Sequence, residues 1–475
     1  LSDYYCCSWG EAIEAAIPES LRKGEKIRNL ELPEYIKQKD SPEATLVHDL
    51  EGKERWDIYL KHINEVLGAG NSVIILLPDI NSVLKAKEII TGRLGIRPAL
   101  LYRKQPKESE EWVRIKEGKV NIVIGTRSGI FAPVNNLGLV VIDEEQDSVY
   151  KQDQVPHYNA REAAFMRINI EKAKLILGST LPSLESFYKA RNHKIKYLCL
   201  PIKKDLPEIK TVDMKNLPFI DRKRNIILSK YLQDSILSAL NSKGKVLLFL
   251  NRKGFATSAS CRNCGIILKC RRCNINLVYH FKDNILNCHY CNFKMEPPKI
   301  CPNCNSSYIR YSGAGTEKIE SELNRLFPQA RIERLDKGEF ANINDADIFI
   351  SAKSIIGQEK FSFDLTGVLS IDNSLNRIDF RSTEKAFGLL AGLLGLTRQK
   401  LIIQTALPNH YCFQALINKD INMFYEEELK QRKQLGFPPY QHIGLVKLRA
   451  KIEERVKKIS NDLFEKLNKY NKNKR

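Results

Sequence analysis

Short apolar runs, each closed by polar or turn residues, alternate with helical stretches along most of this chain. That is the pattern of parallel sheets whose strands are buried on both faces. The runs form two sets. Val73–Leu77, Val120–Ile124, Leu139–Ile142 and Leu175–Leu177 make the first; Val246–Leu250, Ile348–Ile350, Val368–Leu369 and Leu401–Ile403 make the second. They predict an α/β protein with two lobes, residues 45–190 and residues 225–255 with 311–415, and a cysteine-rich segment, 256–310, inserted in the second. Residues 25–44, with Pro33 and Pro42, and residues 191–224, rich in Lys, Pro and Asp, read as linkers. A small α+β C-terminal region, 416–475, takes a new start at Phe437-Pro438-Pro439-Tyr440 and ends in a basic stretch over Lys466–Arg475.

The inserted segment brings in metal chemistry. Eight of the twelve cysteines form four C-x-x-C pairs, Cys261/Cys264, Cys270/Cys273, Cys288/Cys291 and Cys301/Cys304, separated by five, fourteen and nine residues. One such turn aims two thiolates at one metal, and a closed tetrahedral site needs two turns, so four pairs supply two zinc sites. Iron also suits four thiolates. The gaps are too short to build a core, so metal binding amounts to folding, about 10–16 kcal/mol for structural zinc in small peptides. Disulfides are the weaker reading, because the chain shows no signal peptide and a reducing, cytoplasmic setting is expected. No apolar run is long enough to span a membrane. Cys6, Cys7, Cys199 and Cys412 have no metal spacing and are expected to be reduced and buried.

At 475 residues, 43% hydrophobic and 28% charged, the chain reads as a globular protein of two to four domains. A formal charge of +20 favours a polyanionic partner, nucleic acid first, although a solvated basic surface would carry the same charge. The chain starts at Leu1 rather than Met, and its amino end is expected to be missing.

The strand ends carry the candidate chemistry. Asp143-Glu144-Glu145-Gln146 follows the run Leu139–Ile142, where parallel sheets place active-site residues. Asp143 could hold a nucleotide's magnesium and Glu144 orient the attacking water, as a Walker B pair does. Gly125-Thr126-Arg127-Ser128 and Gly178-Ser179-Thr180 follow two other strands, so three polar ends converge on one edge. Capping and packing at the sheet edge is the competing role of the acidic pair. Two lobes, a carboxylate pair and a basic surface point to a nucleic-acid translocase.

GTRSGIFAP from Gly125, VVIDEEQDSVYKQ, YNAREAAFMR, GSTLPSLES from Gly178, FLNRKGFA leading into the cysteines, GAGTEKIESEL from Gly313, DFRSTEKAF from Asp379 and FPPY together closely resemble the primosomal replication-restart helicase family, that of primosomal protein N′ (PriA). The likeness covers nearly the whole chain. It implies RecA-like helicase lobes, with residues 1–24 as the end of an amino-terminal domain that binds DNA 3′ ends. It also implies nested zinc sites: Cys261, Cys264, Cys301 and Cys304 on one ion, Cys270, Cys273, Cys288 and Cys291 on the other. Implied partners are forked or single-stranded DNA, other primosome proteins, the replicative helicase or its loader, and single-stranded-DNA-binding protein.

Against that family the motor motifs are degenerate. A phosphate loop needs glycines, a lysine and a hydroxyl. The matching stretch runs from Asp49 through Gly52, Lys53, Glu54 and Arg55 to Trp56, with Asp49 and Glu54 for glycines, Arg55 for the lysine and Trp56 for the hydroxyl. Lys53 beside Gly52 is the one candidate for a displaced phosphate lysine. Leu396 and Gln399 stand where the family has γ-phosphate arginines, and Arg398 is one place out of register. Ser351-Ala352-Lys353-Ser354 replaces a Gly-Thr-Gln motif, Gln146 a histidine and Leu181 a threonine. These losses cluster on nucleotide contacts, so Asp143 and Glu144 read as vestigial and ATP with magnesium is not expected to turn over. The expectation is a DNA-binding scaffold; a working helicase and a zinc-ribbon module with inert lobes are the rivals. DNA contact is expected from Lys and Arg on phosphates, with Lys269, Arg271, Arg272, Tyr279, His280, His289, Tyr290 and Phe293 offering charge and stacking faces, unless the aromatics pack around the metal knuckles. Gly313-Ala314-Gly315-Thr316 reads as a helix cap in preference to a phosphate cradle, and His280 and His289 could substitute as zinc ligands although eight cysteines already suffice.

Overall fold

The computed structural model describes the chain except for residues 25–41, 104, 106, 217–226, 252–257, 262, 265, 273–276, 281–283, 289–290, 313–315, 336–345, 353–354, 357–360, 376–378, 447, 451 and 473–475. Residues Leu1–Glu428 form one compact unit and Leu429–Arg475 a second.

Seven strands build the first sheet: β1 (Glu43–His48), β2 (Ser72–Leu76), β3 (Ala99–Leu101), β4 (Ile122–Gly125), β5 (Leu137–Ile142), β6 (Lys174–Ser179) and β7 (Lys196–Cys199). All pairings are parallel, in the order β3-β4-β2-β5-β6-β1-β7. Ile74, Leu76, Val140 and Ile142 enter the core on one face, and Val73, Ile75, Leu139 and Val141 the core on the other. Because side chains alternate across a strand and both faces are covered, the central strands read as unbroken apolar runs.

The second sheet starts with β8 (Glu208–Asp213) and β9 (Val246–Leu250). Five short antiparallel strands then interrupt it: β10 (Ser258–Cys261), β11 (Val278–His280), β12 (Ile285–Asn287), β13 (Lys294–Met295) and β14 (Ile309–Ser312), which pair in the order β13-β12-β11-β10-β14. It resumes with β15 (Ile332–Leu335), β16 (Ile348–Ser351), β17 (Phe363–Ser370) and β18 (Thr397–Thr405), giving a parallel order β15-β16-β9-β17-β18-β8. All eight predicted runs overlap strands of these two sheets; Val120–Ile124 starts two residues before β4, and Val73–Leu77 runs one past β2.

Residues 191–224 are not simply a linker. β7 closes one edge of the first sheet and β8 one edge of the second. Edge strands bury little, and every residue of β7 is exposed although Tyr197–Leu200 is a short apolar run, so the Lys, Pro and Asp content around it dominates the reading of this segment. At the other linker, β1 begins at Glu43, and residues 25–41 lie outside those described. The amino-terminal residues Leu1, Tyr5 and Ala15 pack on the first lobe's core, and the Asn159 N–H donates to the Tyr5 hydroxyl at 3.0 Å. Cys412 is buried as expected, but Cys6 and Cys199 are exposed and Cys7 is half-buried, because they sit on a surface helix end and an edge strand. In the second unit, helix Glu453–Lys472 follows the Phe437–Tyr440 turn; no strand occurs among its described residues, so only the helical part of the expected α+β region is seen. No helix among the described residues is long and apolar enough to cross a membrane.

Candidate functional site

The acidic box lies at the carboxyl edge of the first sheet, stitched between neighbouring strand ends. The Asp143 N–H donates to the Leu76 carbonyl and the Glu145 N–H to the Gly178 carbonyl, both at 3.0 Å. Glu144 between them takes a φ of 49°, a left-handed conformation uncommon for a side-chain-bearing residue.

Facing this box, the loop after β1 is closed on itself. The Asp49 carboxylate accepts from the backbone N–H groups of Gly52 at 3.0 Å, Glu54 at 2.8 Å and Arg55 at 3.0 Å. Those donors open helix Arg55–Gly68, and a helix amino end favours an anion. The aspartate thus takes the place a phosphate would have. Gly52 turns the loop with a φ of +73°, and a Cβ there would press on Arg55 and Thr180.

Arg55, 5% exposed, reaches across to both carboxylates. Its Nε donates to Asp143 Oδ1 at 2.6 Å and its Nη2 to Asp143 Oδ2 at 3.3 Å and to Glu144 Oε1. Tyr59, one turn further on, donates to Asp143 Oδ1 at 2.8 Å. Gly178 makes room for that hydroxyl, since a Cβ on residue 178 would fall 1.4 Å from it. Thr180 Oγ1 and Gln146 Nε2 donate to Glu144 Oε2 at 2.9 and 2.5 Å. Burial opposes ionisation of Glu144, but Arg55 and these donors outweigh it and hold its pKa below the usual value. Burial would likewise lower the Arg55 pKa, and the two carboxylates more than reverse that.

A strap covers the outside of the loop. Glu51 accepts from the N–H groups of Lys203 at 2.7 Å and Lys204 at 2.8 Å, and the Lys203 ammonium pairs with Glu54. Lys53 points to solvent. Trp56 packs edge-on to Tyr59, ring centroids 5.3 Å apart. A triphosphate needs free loop N–H groups, and its magnesium needs a hydroxyl and an open carboxylate. Here Asp49 takes the N–H groups, Arg55 spans the carboxylates and tryptophan replaces the hydroxyl. ATP with magnesium does not fit this arrangement.

Glu145, a member of the acidic box for which the sequence suggested no separate role, is fully buried and structural. It accepts from the Ser183 N–H and Arg161 Nη1, both at 2.6 Å, and from Ser186 Oγ at 2.9 Å. It binds the loop after β6 to helix Ala160–Glu171. In the second lobe Leu396 is buried, Gln399 Nε2 donates to Asp364 at 3.3 Å and Arg398 Nε to Ser362 at 2.8 Å. Arg398 and Gln399 thus turn to the start of β17. Lys353, Ser354 and Gly313–Gly315 lie outside the described residues.

In the inserted module the Sγ atoms of Cys261, Cys264, Cys301 and Cys304 all lie within 4.8 Å of one another, and those of Cys270, Cys288 and Cys291 form a second group. Cys273 lies outside the described residues. Separations of 3.5 Å for Cys261–Cys304, 3.7 Å for Cys264–Cys301 and 3.5 Å for Cys270–Cys291 are near the roughly 3.8 Å edge of a tetrahedron with Zn–S bonds of about 2.3 Å. Backbone N–H groups of Asn263, Arg272 and Asn303 donate to Cys261, Cys270 and Cys301 at 3.4 Å each, supporting thiolates. The donor set fits zinc, which when bound cross-links turns that have little core of their own. Tyr279 and Phe293 pack against the module's small core and Arg272 lies over the Phe293 ring, which favours the packing role for these aromatics. The side chains of His280, His289 and Tyr290 are not among those described.

The family model for the PriA DNA helicase Cys-rich region (CRR) domain matches residues 270–295. The replication restart protein PriA of Bacillus subtilis is 34% identical over 430 residues, covering 86% of this chain and 53% of that protein. Its counterpart in Treponema pallidum is 30% identical, covering 96% and 75%, and that in Rickettsia typhi 31% identical, covering 98% and 77%. The chain thus spans about half the length of the Bacillus relative. With the ordered motifs and the cysteine module in one chain, and identity sustained across both lobes, the chain belongs to the replication restart protein PriA family.

Proposed function

We propose that this chain is a DNA-binding replication-restart protein that grips stalled or forked DNA and helps reload the replicative helicase, without an ATP-driven motor of its own. The observation that carries the second half is the bridge from Arg55 to Asp143 and Glu144, with Asp49 on the loop N–H groups. The chain supplies both the cation and the anion that a motor takes from magnesium and nucleotide, so Asp143 and Glu144 act as vestigial Walker B residues. Gly52 and Arg55 shape the loop rather than hold phosphate.

Family membership supports the restart role, and the charge of +20 supports contact with DNA phosphates. Two zinc ions, nested as Cys261, Cys264, Cys301 and Cys304, then Cys270, Cys273, Cys288 and Cys291, hold the module that separates the two parts of the second lobe. Residues 1–24 are the end of a DNA-binding domain, and the partners are the other primosome proteins, the helicase or its loader, and single-stranded-DNA-binding protein.

Fork binding by the zinc-loaded chain, measured by anisotropy with and without ATP and magnesium, tests the reading. The expected result is a preference for forks over plain duplex that nucleotide leaves unchanged. Binding to duplex and fork with equal affinity would sink the restart role, and a preference for RNA would favour a zinc-ribbon module instead.

A further inference from the structure

The two lobes touch directly through side chains. The loop after β6 runs through Leu181 and Pro182 into helix Leu184–Arg191 of the first lobe, and it meets helix Ser382–Leu396 of the second lobe and helix Ile421–Leu435, which is stacked on that helix through Phe424 on Phe387. From helix Ser382–Leu396 and the residue before it come two charged contacts. Arg381 forks onto Glu185, Nη2 to Oε1 at 2.6 Å and Nη1 to Oε2 at 3.2 Å, a paired geometry stronger than a single ion pair. Glu384 Oε1 accepts from the Leu184 N–H at 3.0 Å and so caps the first-lobe helix from across the cleft. On the same helix a Cβ added at Gly388 would meet Leu181 in ordinary van der Waals contact. The second helix, Ile421–Leu435, brings Tyr425, whose buried hydroxyl donates to the Pro182 carbonyl at 2.5 Å and whose ring stacks on Phe187 at 4.1 Å and 11°.

The clamped segment is itself rigid. Ser183 and Ser186 are tied to buried Glu145, which holds Arg161. The Arg381–Glu185 pair, with side chains 32% and 19% exposed, is shielded enough to exceed a surface pair, and the Tyr425 contact is wholly enclosed.

From these contacts we propose that Arg381, Glu384 and Tyr425 form a latch on residues 181–187 that holds the two lobes in one fixed arrangement, independent of nucleotide. The latch rests on the reading of an inert nucleotide site and goes beyond it. An inert site could still sit between lobes that swing freely, whereas a latched pair presents DNA with one rigid, preformed surface.

The test is inter-lobe energy transfer in the full zinc-loaded chain, with dyes on non-natural residues at exposed Lys85 and Ser238. One narrow distance is expected, unmoved by forked DNA or by an ATP analogue with magnesium. Arg381→Glu should broaden it, and Arg381→Glu combined with Glu185→Arg should narrow it again. Tyr425→Phe, which keeps the ring and removes the hydroxyl, is the milder probe and should broaden it less. A wild-type distance that shifts with nucleotide, or an Arg381→Glu chain that stays narrow, overturns the latch, as does a charge swap that fails to narrow the distance. Phosphate release, read in the same samples, separates this outcome from failure of the inert-site reading: movement without release refutes only the latch, and release without movement only the inert site.

Discussion

Arg55 is the residue that the resemblance aligns with a phosphate lysine, and its planar, forked head lets it span two carboxylates that a point-charge ammonium would serve less well. Removing it leaves buried Asp143 beside half-buried Glu144 without a cation, and breaking a buried pair costs about 3–5 kcal/mol. Urea denaturation of Arg55→Ala should therefore show a stability loss of that size, with Arg55→Lys losing less; a neutral alanine would mean that the bridge does not hold this site together. Gly178→Ala tests the same cluster from behind. Its methyl must expel the Tyr59 hydroxyl from Asp143, an overpacking cost of about 1–3 kcal/mol that a melting curve would register as a lower Tm. The sequence displays each altered residue of the loop but not what replaces the ligand. That Asp49 folds back on three N–H groups, or that Glu145 takes a structural role apart from its two neighbours, depends on contacts across sheet ends that spacing does not encode.

Among elements, the buried central strands were legible because both their faces are apolar, while β1, β3, β7, β8 and β15 were not. These are short or lie at or near a sheet edge, where polar residues are tolerated and the pattern fades. The cysteine module was legible for a different reason, since ligand spacing survives without any hydrophobic pattern. A strong chelator should unfold β10 to β14 and leave both parallel sheets intact, seen as hydrogen exchange that rises over 258–312 but not over 72–76 or 246–250. Metal analysis should give two zinc ions per chain. Cys264→Ser and Cys301→Ser should each lose the same ion, and Cys270→Ser the other; clearly fewer than two in the wild type would refute the paired sites.

At the scale of the whole molecule, the charge of +20 and the closed loop over Asp49–Arg55 are what the proposed DNA-binding scaffold rests on. Phosphate-dominated binding falls steeply with salt, so fork affinity should drop on the order of a thousandfold between about 50 and 200 mM salt; a nearly flat salt dependence would show that charge is not what grips the DNA. The most direct test of the account is phosphate release from ATP by the zinc-loaded chain with saturating forked DNA, beside Glu144→Gln. Release no greater than that of the variant, with or without the fork, is the predicted result. Turnover that rises with DNA and disappears in Glu144→Gln would show that Arg55 yields to nucleotide and that the motor still runs.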